Sequence, residues 1–134
     1  MRNLQEPLVV MVAGGTDTGK STFCTFLANR AIADGVIPSI VDGDIGQSDL
    51  APPSVIGAAA LDHQISDLRD ISGTVFEFVG STSPHRLEYF VSQRLASIVT
   101  RSCSAGRLCI VNTDGYVDNG GVAYKKMIAT EIQP

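Results

Sequence analysis

The chain has 134 residues, of which 44% are hydrophobic, 18% charged and 6% aromatic, with no tryptophan and a net charge of −4. This composition excludes collagenous, repetitive and disordered chains and fits one small domain with an aliphatic core, burying roughly two thirds of the surface the unfolded chain exposes. The acidic balance argues against a coat that binds nucleic acid regardless of sequence, which needs a surplus of Lys and Arg.

Residues 8–13 form a short, β-branched apolar run stopped by Gly14-Gly15, the pattern of a strand buried on both faces. From Lys20 the spacing turns helical, with Phe23, Phe26, Leu27 and Ile32 on one face and an end near Asp34-Gly35. A second buried run, residues 36–41, ends at Asp42 and opens into a loop rich in Asp, Gly and Pro that reaches Pro53. Residues 54–61 fit either a strand or a helical turn. Residues 74–79 read as a strand closed by the turn residues 80–84. The longest amphipathic helix is expected over about 84–103, with Leu87, Phe90, Val91, Leu95, Ile98 and Val99 at helical spacing. Residues 108–112 are another buried strand, followed by Thr113-Asp114-Gly115-Tyr116 and a last helix over about 120–131. Strands alternating with helices predict an α/β fold with a mostly parallel sheet.

Gly14-Gly15-Thr16-Asp17-Thr18-Gly19-Lys20-Ser21 satisfies the phosphate-loop pattern G-x-x-x-x-G-K-[ST] at every fixed position and lies between a predicted strand and a predicted helix. There, backbone N–H groups and the helix N-terminus face an anion. Lys20 would reach the β- and γ-phosphates and the Ser21 hydroxyl would ligate Mg²⁺, with Thr22 continuing the loop. The plain alternative is a glycine turn capped by Ser21. The expected fold is therefore the three-layer sandwich of P-loop nucleotide-binding proteins.

Asp42-Gly43-Asp44-Ile45-Gly46-Gln47 leaves the second strand at its carboxyl end, where ligands bind in open parallel sheets. Carboxylates two apart in an extended segment point the same way, and one can hold a metal through water while the other accepts a proton. An Asp/Gly turn with a capping role is the competing reading. At residues 81–86 a strand-to-helix turn, with Ser83 as N-cap and Pro84 in the first helical turn, is preferred over a loop whose hydroxyls and Arg86 touch substrate. His63 reads as a solvated loop histidine, and Arg94, Arg101 and Arg107 as the wet side of the long helix.

Cys24, Cys103 and Cys109 are odd in number and lack Cys-x-x-Cys spacing, so neither a disulfide framework nor a zinc site is expected, and His63 and His85 are too scattered to form a metal cluster. No apolar run approaches the roughly 18 residues of a membrane span, and the first seven residues lack the apolar stretch of a leader, so the expectation is a cytoplasmic protein without membrane contact.

Four motifs in order carry a resemblance: Gly14, Thr16, Asp17, Gly19, Lys20 and Ser21; Asp42-x-Asp44-x-Gly46-Gln47; the run Val79-Gly80-Ser81-Thr82-Ser83-Pro84; and Asn112-Thr113-x-Gly115-Tyr116. Together they resemble the polynucleotide 5′-hydroxyl kinase family, which includes the RNA kinases of pre-mRNA cleavage factors and of ribosomal RNA processing. The resemblance implies an ATP and Mg²⁺ site at Lys20 and Ser21, with Lys20 and Asp44 catalytic, Asp44 as general base, and Asp42 and Gln47 arranging metal and water. Thr113, Gly115 and Tyr116 match the family's clasp, in which an aromatic residue stacks on the terminal base of RNA; the bland reading of Tyr116 is a half-buried loop tyrosine. RNA with a 5′-hydroxyl end and RNA-processing proteins are the implied partners. Family members also carry a lid with paired arginines after the clasp, whereas no Arg follows Arg107. The expectation is a P-loop kinase domain over residues 1–134 that is incomplete at its C-terminus, truncated before the lid. Two alternatives remain: a P-loop kinase or ligase acting on a small metabolite, since Gly-Thr-Asp-Thr-Gly-Lys resembles the loop of dethiobiotin synthetases, and an assembly factor that binds nucleotide without catalysis. A signalling GTPase is disfavoured because the Asn-Lys-x-Asp signature is absent.

Overall fold

A computed structural model describes residues 6–103 and 107–134. The residues before Glu6, on which the expectation of no leader rests, lie outside the described residues. Nine elements follow in order: β1 (Leu8–Val12), α1 (Lys20–Ala33), β2 (Ser39–Asp42), β3 (Val55–Ala60), a 3-10 turn (Leu68–Asp70), β4 (Val75–Phe78), α2 (Glu88–Ser102), β5 (Leu108–Asn112) and α3 (Gly121–Ile132).

The five strands pair in the order β1-β5-β2-β3-β4. Parallel ladders join β1 to β5 and β5 to β2, while β3 runs antiparallel to both β2 and β4. Four strands therefore share one direction and β3 alone is reversed. Its sequence, Val-Ile-Gly-Ala-Ala-Ala, ends in a glycine and three alanines, residues depleted in strands, which is why the residues alone left strand and helix open. The first strand is not buried on both faces as expected: β1 is an edge strand, exposed at Leu8, half-buried from Val9 to Met11 and buried at Val12.

Alternate strand residues send their side chains into two cores on opposite faces of the sheet. Ile40, Ala59 and Ile110 pack with Cys24 and Ala28 of α1 and with Leu68. Val41, Ala58, Cys109 and Val111 pack with Val91, Leu95 and Ile98 of α2 and with Tyr124 and Ile128 of α3. Helices on both faces of one sheet make the three-layer α/β sandwich. Truncating a fully buried residue such as Leu95 costs about 2–5 kcal/mol.

The expected apolar face of α1 is corrected. Phe23 is 49% exposed and Phe26 62%, and the helix turns Cys24, Ala28 and Ala31 to the sheet instead. Small residues let the helix lie close over β5 and β2, and the large rings are left outside. The long helix begins later than expected, with Leu87 at its N-cap and no side-chain cap. Ser83 is thus not the cap: its hydroxyl accepts from the His85 N–H at 3.2 Å within the preceding turn. Cysteine pairing is a further correction, since the end of α2 and the start of β5 bring Cys103 and Cys109 together in a disulfide, with Cα atoms 5.6 Å apart, leaving Cys24 free and buried. His63 is exposed beside Asp62, while Arg94 and Arg101 both reach back to Glu77 on β4.

Candidate active site

Because β5 lies between β1 and β2, the loops leaving the carboxyl ends of these strands meet above the sheet. They surround a cavity of about 530 Å³ walled by parts of four segments, 16–21, 44–49, 82–85 and 112–116. Thr16, Asp17, Lys20, Ser21, Asp44, Gln47, Thr113, Gly115 and Tyr116 all line it; Asp42 does not. Gly19 and Thr22 border a shallower hollow over residues 17–22 at the loop's outer side.

The phosphate loop holds its shape through its own polar groups. Thr18 Oγ1 donates to the Gly15 carbonyl at 2.7 Å, and Gly14 lies under Thr18, where a Cβ would stand 2.8 Å from Oγ1. Gly19 enters α1 with φ of 89°, a left-handed conformation that costs a residue with a Cβ, and α1 has no side-chain cap. Its first N–H groups are therefore available to an anion. Lys20 Nζ folds back to donate to the Gly15 carbonyl at 2.6 Å, which places its charge at the loop.

Asp42 and Asp44 do not turn their carboxylates the same way. Asp42 is buried beneath the loop, accepting from the N–H groups of Asp44 at 3.1 Å and Asp49 at 2.7 Å and from the Ser48 hydroxyl at 3.3 Å. Burial raises its pKa to about 6, a rise opposed by those N–H groups and reinforced by the charges of Asp49 and Asp44. Its observed contacts are those of a turn organiser. Asp44 stands at the cavity with Oδ1 accepting from Gly46 and Gln47 N–H at 3.1 and 2.9 Å, so the backbone fixes its carboxylate.

Two polar residues stand beside Ser21: Asp49, which no motif includes, and Asn112, which opens the fourth motif without a role assigned to it. The Ser21 hydroxyl lies 3.4 Å from Asp49 Oδ2, to which it donates, and accepts from Asn112 Nδ2 at 3.4 Å. Asp49 is pushed above the usual carboxylate range by burial and by the charge of Asp67, while the Ser21 hydroxyl holds it down. Asn112 Oδ1 is buried without a hydrogen-bond partner among the described residues. The Ser21 hydroxyl, the Asp49 carboxylate and the Asn112 amide beside it are oxygen donors of the kind Mg²⁺ takes, and the Asp44 carboxylate lines the same cavity. Asp49 could have been flagged by its place in the same acidic loop, and Asn112 by ending the strand beside the phosphate-loop strand.

The segment after β5 sits directly on the phosphate loop. Thr113 Oγ1 donates to the Val12 carbonyl at 2.8 Å, pinning the end of β5 to the end of β1. Asp114 and Lys125 are both buried and form an ion pair, with the ammonium 4.9 Å over the Tyr124 ring. Asp114 also accepts from Tyr116 N–H at 3.1 Å. Tyr116 is half-buried, its hydroxyl donating to the Asn119 carbonyl at 2.8 Å and its ring 6.1 Å from that of Tyr124.

An uncapped helix start behind a glycine loop, a lysine folded onto it and an oxygen cluster from the neighbouring strands define a P-loop nucleotide-binding domain. Residues 14–134 match the family model of the mRNA cleavage and polyadenylation factor CLP1 P-loop, and the chain belongs to that family. It is 30% identical over 129 residues to a polyribonucleotide 5′-hydroxyl-kinase of Thermococcus kodakarensis, covering 96% of this chain and 37% of the relative. Against the corresponding kinase of Pyrococcus horikoshii the identity is 32%, covering 98% and 37%. Against polyribonucleotide 5′-hydroxyl-kinase Clp1 of Homo sapiens it is 33% over 122 residues, covering 84% and 29%. A solved structure of the interface between Pcf11p and Clp1p superposes with a TM-score of 0.71 at 20% identity, covering 99% of this chain and 37% of that one, which bears on the fold alone. The chain thus spans a little over a third of the length of the first of these relatives. No helix among the described residues is long and apolar enough to cross a membrane.

Proposed function

We propose that residues 1–134 form the P-loop domain of an ATP-dependent polynucleotide 5′-hydroxyl kinase acting on RNA. The single observation that carries this reading is the convergence of Lys20, Ser21, Asp44 and the 112–116 segment on one cavity, in a chain similar to kinases of that name. The γ-phosphate of ATP sits over the phosphate loop, held by its N–H groups and by Lys20, which exchanges the Gly15 carbonyl for phosphate oxygen. The 5′-hydroxyl oxygen of RNA attacks phosphorus in line, the bond to the β,γ-bridging oxygen breaks, and ADP leaves. Asp44, fixed by two N–H groups, takes the hydroxyl proton. Mg²⁺ held by Ser21, Asp49 and Asn112 would neutralise charge building on the phosphate oxygens, leaving Asp44 to act as the base. Asp42 supports this set from beneath, Gln47 borders it, and Thr113, Gly115 and Tyr116 form the wall against which the terminal nucleoside rests. The Clp1p structures contain Pcf11p, and RNA-processing proteins are the proposed class of protein partner here.

Incubation with γ-labelled ATP and a 5′-hydroxyl oligoribonucleotide tests the reading. Label should pass to the oligonucleotide, and Asp44→Asn should abolish transfer while leaving ATP binding intact. Transfer to a small metabolite that oligonucleotides do not compete away, or turnover unchanged in Asp44→Asn, would overturn it.

A further inference from the structure

Beside the cavity runs a second groove of about 560 Å³ between the start of α2 and α3, with Arg86, Leu87, Tyr89, Phe90, Tyr124 and Met127 in its walls. Leu87, the N-cap of α2, and Phe90 belong to its run of helically spaced apolar residues, yet both are exposed, and Tyr89 is 59% exposed. Arg86, with φ of 66°, makes no ion pair among the described residues. A second guanidinium, that of Arg94, lies 5.0 Å over the Phe90 ring.

One stretch of chain walls both hollows: residues 82–85 line the cavity and residues 86–90 the groove. Tyr124 stands in the partition. Its hydroxyl is buried without a hydrogen-bond partner, and its pKa is raised by burial and then by Asp114 and Asp44 from the cavity and Glu88 from the groove.

We infer that this groove takes the second and third nucleotides of the same RNA strand whose 5′ end enters the cavity, with bases stacking on Tyr89 and Phe90 and Arg86 meeting the phosphates. The inference rests on the kinase reading and extends it to a strand-binding path. Exposed rings beside a guanidinium that makes no ion pair, here Arg86 among the described residues, are how single strands are held without sequence preference, because every base has a stacking face. Glu88 in the same wall offers an acceptor to base N–H groups.

Titration of the full chain, in the presence of a non-hydrolysable ATP analogue, with a nucleoside 3′-phosphate and with 5′-hydroxyl oligoribonucleotides of two and three nucleotides tests this. Binding should tighten with each added nucleotide by roughly 5- to 150-fold where its base stacks. Tyr89→Ala and Arg86→Ala, both at exposed positions, should erase most of that gain while leaving the nucleoside 3′-phosphate and the ATP analogue bound as before. Arg86→Ala should also flatten the salt dependence by about 0.7 in logarithmic slope. The same gain with length in both variants overturns the groove while sparing the kinase reading. Failure of even the nucleoside 3′-phosphate to bind, or to accept phosphate from ATP, overturns the kinase reading and the groove together.

Discussion

A side-chain carbon at Gly115 would stand 2.7 Å from the backbone nitrogen of Thr16 and 2.9 Å from its Cα. The segment after β5 therefore rests on the phosphate loop at a distance that only glycine permits. Gly115→Ala is expected to displace the loop, lowering nucleotide affinity at least about tenfold and destabilising the fold by about 1–3 kcal/mol, as overpacking does. Calorimetric titration with ATP and a thermal melt check the two effects.

Asp49 touches the Ser21 hydroxyl, and its carboxylate is the strongest acceptor beside it. Asp49→Asn is expected to raise the Mg²⁺ concentration needed for half-maximal nucleotide binding by about 10- to 100-fold, the range for altered metal surroundings. Metal-free nucleotide binding should stay unchanged. Titrating Mg²⁺ at fixed ATP analogue separates the two.

Lys125 is buried against Asp114. Lys125→Met removes one partner and strands a carboxylate away from water, with an expected loss of about 3–5 kcal/mol in denaturant unfolding. The double variant Asp114→Asn with Lys125→Met should recover much of that loss. Equal destabilisation of the single and double variants would show that packing around Tyr124, not charge, sets the cost.

Burial raises Asp42 from its ordinary 3.8 to about 6. Between those values the folded chain keeps a proton that the unfolded chain has released, so this residue makes stability fall as pH rises through that window. The penalty is absent below about pH 4, complete above about pH 6, and on the order of 3 kcal/mol. Asp49, raised as well, acts in the same direction. Urea unfolding without metal at several pH values should show a shallower decline in Asp42→Asn than in the parent chain.

The phosphate loop was legible because its fixed residues are consecutive and lie between a strand and a helix that their own patterns reveal. What could not be read was whichever property depends on neighbours distant in sequence. Phe23 and Phe26 look like a core face by spacing, but the sheet accepts Cys24, Ala28 and Ala31 because small residues allow close approach. The edge position of β1 and the reversal of β3 are facts of pairing, invisible in either segment alone. Asp42 and Asp44 alternate correctly as an extended pair would, yet the Asp49 N–H draws Asp42 inward, and that residue lies seven positions on. Asn112 opens the fourth motif, but its role depends on Ser21, whose hydroxyl its amide meets only when the sheet is assembled.

The strand order has a consequence for how the site comes into being. Ser21 and Asn112 are 91 residues apart in the chain, and the Asn112 carbonyl also accepts from Gly43 N–H at 2.8 Å, so one residue of β5 ties the loop after β1 to the loop after β2. The contact between Ser21 and Asp49 needs only the chain up to Asp49, but the amide beside Ser21 and the acceptor for Gly43 N–H arrive with β5, so a ligand that engages both loops and Asn112 stabilises the sheet only once β5 lies between β1 and β2.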